Sequence, residues 1–241
     1  FSTSRRGAEL IKYAANAFLA TKITFINEIA NMCEKSGINV EDIALGIGSD
    51  SRIGDRFLRP GPAYGGSCFP KDTKGLVSAA DKFKTNLSIV KAVIKSNHYR
   101  VNLLTKRVHK ILGNNLRGKR ISILGVTFKP NTDDMRDSTS LNMLPYLSKR
   151  GAIISYYDPS GEKNEFTKLL NCKFSKNIKE NCLNADLIIL LTEWDEFKSI
   201  DFKKAVKKKN FKIYDLRNIY TRDEMKQNKI KYYSIGRPDV N

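Results

Sequence analysis

From Ala8 to Lys35, apolar residues recur at three- and four-residue steps: Ile11, Ala14 or Ala15, Phe18, Leu19, Phe25, Ile26, Ile29 and Met32. That spacing follows the turn of an α-helix and predicts one amphipathic helix of several turns. Ser36-Gly37 stops it. Asn39 can cap a short second helix, which Gly46 and Gly48 close. Ser49 to Tyr64 reads as loop, and a further helical region follows Asp72 through Leu76 and Val77. A long helix then spans roughly Ile89 to Leu112, with Val90, Val93, Ile94, Val101, Leu104, Val108 and Ile111 in register.

Gly113-Asn114-Asn115 is a helix stop, and beyond it the pattern changes. Short buried-strand runs appear at 121–124, 153–157, 187–191 and 211–214. Helical patterns separate them at 138–150, 163–170, 178–183 and 197–208, with Pro145 expected to kink the first. Alternating strand and helix predicts a parallel sheet with helices on both faces. The boundary falls near Gly113 to Gly118, giving a helical unit over 1–117 and an α/β unit over 118–241.

Composition narrows the function classes. The apolar share of 41% and charged share of 28% are those of a globular protein. No run approaches the roughly 20 apolar residues of a membrane span. The start, F-S-T-S-R-R-G-A-E-L, has neither a signal-peptide core nor an initiator Met, so Phe1 reads as an internal cut. Cys33, Cys68, Cys172 and Cys182 form no C-x-x-C pair and lie far from His98 and His109, which argues against zinc and disulfides and for a reducing cytoplasmic setting. The net charge of +18 raises the question of nucleic acid. Lysines and arginines are spread along the chain, however, and the densest run, 203–209, has helical character and no interleaved aromatics. A solvated basic face accounts for it without a nucleic-acid partner.

The chemistry concentrates in R-F-L-R-P-G-P-A-Y-G-G-S-C-F-P-K-D, Arg56 to Asp72. Gly65 and Gly66 permit a sharp turn or a close approach, and Pro70 suits the start of a helix. Cys68 therefore falls just ahead of a helix N-terminus, where backbone N–H groups favour a thiolate. Lys71 and Asp72 add a cation and a carboxylate. Arg52, Arg56 and Arg59 sit on a Gly/Pro-framed loop suited to gripping phosphate. Lys12 and Asn16 share a helix face, and the apolar turn around Lys12 predicts a partly desolvated cation able to stabilise negative charge. In the α/β unit, ligands bind off the carboxyl ends of the strands. The loop after the first strand, G-V-T-F-K-P-N-T-D-D-M-R, is not G-x-G-x-x-G. It offers Phe128 to stack on a base and Lys129 and Arg136 for phosphate charge, while D-L-R-N adds Arg217 at the same edge.

Taken together, E-L-I-K-Y-A-A-N-A-F-L-A-T-K-I-T-F-I-N-E, G-G-S-C-F-P-K-D, G-V-T-F-K-P-N-T-D-D-M-R-D-S and D-L-R-N resemble the UDP-glucose/GDP-mannose dehydrogenase family over nearly the whole chain. These nucleotide-sugar dehydrogenases oxidise a sugar 6-hydroxyl to a carboxylate. The segment through G-G-S-C-F-P-K-D favours the UDP-glucose branch over the GDP-mannose branch, although Ala63 stands where glycine is often found. The resemblance implies an α/β protein: a central all-helical dimerisation domain followed by a Rossmann-like parallel-sheet domain that binds UDP. The family's N-terminal Rossmann domain for NAD has no counterpart here, so this chain alone is expected to bind NAD poorly and not to turn over.

Carried over by resemblance, Cys68 attacks the C6 aldehyde to give a thiohemiacetal, whose second oxidation yields a thioester. Lys12 and Asn16 serve the oxyanion, and Asp72 serves the hydrolytic water. Arg52 reaches a neighbouring subunit's substrate, implying a homodimer or higher homo-oligomer. Arg59, Tyr64 and Gly65 line the glucosyl site; Phe128, Lys129 and Arg217 hold UDP; Lys71 and Arg136 touch NAD. A rival expectation is a non-catalytic fragment that binds UDP-sugar or merely dimerises.

Overall fold

The computed structural model describes residues 2–240. Helix α1, Arg5–Ser36, opens under Ser4, whose hydroxyl accepts the Gly7 N–H at 3.1 Å, and closes at Gly37 with φ +73°. It buries Ala17, Ala20, Thr24, Ile26, Asn27, Ala30 and Cys33. The large apolar residues at seven-residue spacing do something else: Ile11, Phe18, Phe25 and Met32 are 50%, 67%, 51% and 66% exposed. The single amphipathic face expected from periodicity is therefore two stripes. A stripe of mostly small and polar residues packs inward, and a bulky one, repeating every two turns, faces outward.

Helices α2, Val40–Gly48, capped by Asn39, α3, Phe69–Lys82, and α4, Ser88–Ile111, follow as expected. No helix of the described residues is long and apolar enough to cross a membrane. Gly113 and Asn114, both at positive φ, turn the chain into the sheet. Its six parallel strands are β1, Arg120–Leu124, β2, Ile153–Tyr157, β3, Cys172–Phe174, β4, Leu187–Leu190, β5, Lys212–Asp215, and β6, Lys231–Ser234, ordered β3-β2-β1-β4-β5-β6. Ile121 pairs with Ile154 on one side and Leu187 on the other. Four strands were expected. The two extra ones are edge strands, one only three residues long, the other begun by a lysine.

Helix α5, Ser140–Lys149, runs through Pro145 without ending there. The helix expected over 163–170 is only a 3-10 turn, Asn164–Phe166. That expected over 197–208 splits into a 3-10 turn, Asp195–Ser199, and a one-turn helix ended by extended Val206, so Lys207, Lys208 and Lys209 lie outside any helix. With α6, Ile178–Cys182, α7, Phe202–Ala205, and α8, Arg222–Gln227, the crossovers cover both sheet faces.

Strand residues alternate between two cores. Ile121, Ile123, Ile154, Leu187 and Ile189 join Ile26 and Ala30 of α1, Val40 of α2, Leu104 and Val108 of α4 and Met143 and Leu147 of α5. Leu124, Ile188, Leu190 and Ile213 face Phe197, Phe202 and Met225 on the other side. The helical half thus packs directly on the sheet. The chain's last residues reinforce this contact: a Cβ on Gly236, at φ +64°, would come within 2.5 Å of Val40. Val40 N–H donates to the Gly236 carbonyl, Gly236 N–H donates to Glu34, and Arg107 bridges Glu34 and Asp239 at 2.6 and 2.7 Å.

Candidate active site

Cys68 occupies the residue before α3, with Pro70 in the first helical turn, as its sequence context predicts. Its sulfur is exposed, 3.7 Å from the Ser67 hydroxyl. The other three thiols are different: burial pushes Cys172 and Cys182 up to about 12 and raises Cys33 as well. Two cations stand close to Cys68. Arg136 is held up first by a two-bond pair with Asp134, at 2.9 and 2.8 Å, and then by Cys68; Lys71 is held up first by its bond to Asp72.

Asp72, one turn into α3, is fully buried and accepts bonds from Lys71 Nζ and Asn16 Nδ2, each at 2.6 Å. Burial pushes this carboxyl up, but the two bonds and the nearby charges of Lys71 and Lys12 outweigh it and hold it below the usual carboxylate range. Lys12 is exposed, contrary to the desolvation expected from its neighbours. Leu10 and Ile11 point outward with it, so the apolar turn shields nothing within one chain.

Beside this segment lies a cavity of about 330 Å³, lined by Arg59, Tyr64, Gly65, Phe69, Phe128, Lys129, Glu193 and Arg217 among others. It opens at the carboxyl ends of β1, β4 and β5, where the strand order reverses direction. The two glycines explain how the cysteine loop reaches this edge. A Cβ on Gly65 would collide with the Asp137 carbonyl, and one on Gly66, at φ +77°, would sit 2.6 Å from the Phe128 ring. Gly66 N–H also donates to the Arg136 carbonyl at 2.8 Å. Close approach, as much as turning, requires both glycines.

Arg217 is held from three sides. Nε donates to the Leu191 carbonyl and Nη2 to the Phe128 carbonyl, both at 2.9 Å, and Glu193 pairs with it at 2.9 Å. Burial pushes its guanidinium down, and the Glu193 charge opposes that. Beneath it, buried Asp215 accepts the backbone N–H groups of Arg217, Ile219 and Tyr220 and the Tyr232 hydroxyl, which fixes the D-L-R-N turn. Lys129 Nζ lies 5.4 Å from the Phe128 ring centre, and Arg59 Nη2 donates to the Arg217 carbonyl at 3.3 Å.

Seven expected residues, Arg59, Tyr64, Gly65, Phe128, Lys129 and Arg217 at the cavity and Cys68 beside it, come together. Asn16, Lys71 and Asp72 form an adjoining hydrogen-bonded group, with Arg136 near the thiol. Arg52 does not join them: its side chain is 87% exposed and engaged by Asp50 at 2.6 Å. Glu193, Ile23, Phe57 and Phe69 were missed. Glu193 was within reach of the strand-end rule, since it lies three residues past β4; Ile23 on α1 gave no such signal. No cluster of potential metal ligands exists among the described residues.

Two sequence models of one family match the chain: "UDP-glucose/GDP-mannose dehydrogenase family, central domain" over residues 6–99, and "UDP-glucose/GDP-mannose dehydrogenase family, UDP binding domain" over 122–222. The UDP-glucose 6-dehydrogenase of Rhizobium meliloti is 47% identical over 98% of this chain and 54% of its own length. That of Rickettsia typhi is 41% identical over 95% and 54%. A UDP-glucose dehydrogenase structure from Pyrobaculum islandicum superposes with a TM-score of 0.84 at 30% identity, covering 97% of this chain and 52% of that one. An NDP-N-acetyl-D-galactosaminuronic acid dehydrogenase from Methanosarcina mazei gives the same score and identity over 97% and 51%. The chain spans about half the length of the curated relatives it matches. With its helical domain, its parallel sheet in Rossmann order and a glycine-seated cysteine loop between them, this chain belongs to the UDP-glucose/GDP-mannose dehydrogenase family.

Proposed function

We propose that this chain supplies the sugar-nucleotide site and the covalent residue of an NAD-dependent oxidation of UDP-glucose to UDP-glucuronate. The observation that carries the reading is one cavity, lined from both halves of the chain, directly beside an exposed thiol flanked by cations. In this reading residues 1–117 are the catalytic and dimerising domain and 118–241 the UDP domain. Phe128 stacks on the base, Lys129 and Arg217 meet the diphosphate, and Arg59, Tyr64 and Gly65 line the glucosyl group. Glu193, paired with Arg217, holds that guanidinium ready until phosphate competes for it.

Cys68 captures the C6 aldehyde, which prevents its escape between two oxidations. Asp72, kept ionised by Lys71 and Asn16, takes the proton of the water that cleaves the thioester. Lys12 stabilises the oxyanion once a partner or ligand covers the exposed face of α1, and Asn16 orients Asp72 beside it. Each of the two oxidations would need its own NAD as hydride acceptor, two per sugar nucleotide. The fit of this chain to NAD is partial: Lys71 and Arg136 offer exposed cations near Cys68, but the loop after β1 is not a dinucleotide cradle, being pressed against Gly65 and Gly66. The exposed stripe Ile11, Phe18, Phe25 and Met32 supports a homodimer, in which outward-pointing Arg52 reaches the partner's site. The setting we infer is cytoplasmic.

Calorimetric titration of the purified chain tests this. UDP-glucose and UDP should bind, Arg217→Ala should weaken both at least about tenfold, roughly 1.4 kcal/mol, and NAD should bind far more weakly. Preference for GDP-mannose, or NAD binding as tight as UDP, would overturn the assignment.

A further inference from the structure

Between α1 and α4, next to the loop that carries Gly61 and Tyr64, lies a second cavity of about 100 Å³. Its lining is almost wholly polar: Thr24, Asn27, Asn31, Ser96, Asn97 and Arg100, with Glu28 and Tyr99. Arg100 is only 4% exposed. Its Nε donates to the Gly61 carbonyl at 2.7 Å, and Nη1 donates to the Asn27 carbonyl and Asn31 Oδ1, both at 3.0 Å. Every one of these acceptors is neutral, and Nη2 has no partner. Burial pushes this guanidinium down to about 10; the carboxylate that opposes this, Glu34, is already paired with Arg107 at 2.6 Å.

Two more atoms on the same lining are orphaned. Asn27, 2% exposed, has its Oδ1 committed to the Gly61 N–H at 2.9 Å, leaving Nδ2 unpaired. Thr24 Oγ1, on a residue 6% exposed, is unpaired too. Buried polar atoms are rarely left without partners, and a buried cation without an anion is the costliest case. The three orphans are a guanidinium N–H, an amide N–H and a hydroxyl. All can donate, and what the group lacks is an acceptor carrying negative charge.

We propose that this cavity binds a small monovalent anion, a halide or short carboxylate, on Arg100 Nη2, Asn27 Nδ2 and Thr24 Oγ1. Exposed Glu28, whose carboxylate accepts a bond from Ser96, shares the lining and disfavours a more highly charged ion. The anion acts on the neighbouring loop through the residues that hold it. Arg100 and Asn27 fix Gly61, and Asn97 fixes Tyr64 by accepting its N–H and donating to its carbonyl, both at 3.0 Å. Satisfying Arg100 and Asn27 therefore stiffens the segment that leads to Cys68. The anion site does not depend on the function proposed above; any effect on sugar-nucleotide affinity does.

The test uses the purified chain with sodium bromide, ionic strength being held constant with sodium gluconate, whose anion is too large for the cavity. The thermal midpoint should rise saturably with bromide, and bromide-soaked crystals should show one anomalous peak between α1 and α4. Thr24→Val, isosteric and outside the active site, should raise the half-saturating concentration roughly tenfold, the loss of one hydrogen bond to a charged group. Glu28→Gln should lower it. Hydrogen exchange at the Gly61 and Tyr64 amides should slow as bromide rises. Equal half-saturation in wild type and Thr24→Val, or no anomalous peak, overturns the site. So does a bromide response that appears only in Glu28→Gln, which would make Glu28 the counter-ion of Arg100 in the wild type. Unchanged exchange at Gly61 and Tyr64 overturns the coupling to the loop.

Discussion

The two halves of this chain treat apolar surface in opposite ways. Of the fourteen large apolar residues left exposed among the described residues, twelve precede Gly113 and two, Ile153 and Leu170, follow it. The sheet half hides its side chains behind its own crossovers and behind α1, α2 and α4. The helical half covers one sheet face with its small inner stripe and leaves its bulky stripe in water. Exposed apolar residues scattered singly need no explanation, but a row repeating along one helix marks an association surface. The sheet half is stabilised mainly from within the chain; on the homodimer proposed above, the helical half would be stabilised partly from outside it.

Three measurements break or sharpen that contrast. The largest effect is expected in the sheet. Ile189→Ala, at a fully buried position of a central strand, should cost about 2–5 kcal/mol in urea unfolding. Phe18→Ala on α1 should cost the monomer less than about 0.5 kcal/mol. Equal costs would dissolve the distinction. Next comes association: Phe18→Asp with Phe25→Asp should shift the dimer equilibrium about a hundredfold toward monomer in sedimentation, roughly 2.7 kcal/mol. An unchanged distribution would assign the stripe no role in dimerisation. The smallest effect separates two buried carboxylates. Asp72 is held below its ordinary pKa, whereas burial raises Asp215 despite its hydrogen bonds. A lowered folded pKa gives stability that is present above the unfolded value near 4 and lost as pH falls through the folded one. Wild type should therefore exceed Asp72→Asn by about 1 kcal/mol above pH 5. The gap should close in acid; a gap independent of pH would remove the ionised Asp72 from the account.

Much of this was legible from residues alone, and the failures share a cause. Helix ends were readable where a cap or glycine acts locally, as at Asn39 and Gly37. Strands β1, β2, β4 and β5 were readable because apolar and β-branched residues cluster in them. The three-residue β3 and β6, with its sequence K-Y-Y-S, carry too little pattern, and pairing with a neighbouring strand decides them. Periodicity on α1 counted apolar residues without telling which side the sheet would take. The residues that gather at the cavity were reached through G-G-S-C-F-P-K-D and the strand-end rule. The local turn logic for Gly65 and Gly66 left out the reason only the fold supplies, contact with Asp137 and Phe128. Arg100 and Asn27 passed unnoticed because nothing marks a helix residue as buried and unpaired until both helices are in place.

The seating of Gly236 against Val40, and of its N–H on Glu34, joins residues 202 positions apart in the chain. During synthesis α1 and α2 emerge long before residues 234–240, so Arg107 and Glu34 wait as an ion pair without the segment that completes them. Closing so long a loop is slow relative to local helix formation. The inner stripe of α1 must therefore stay soluble until the sheet that covers it has been made. Its make-up, alanine, threonine and asparagine rather than leucine and phenylalanine, suits a surface that has to wait.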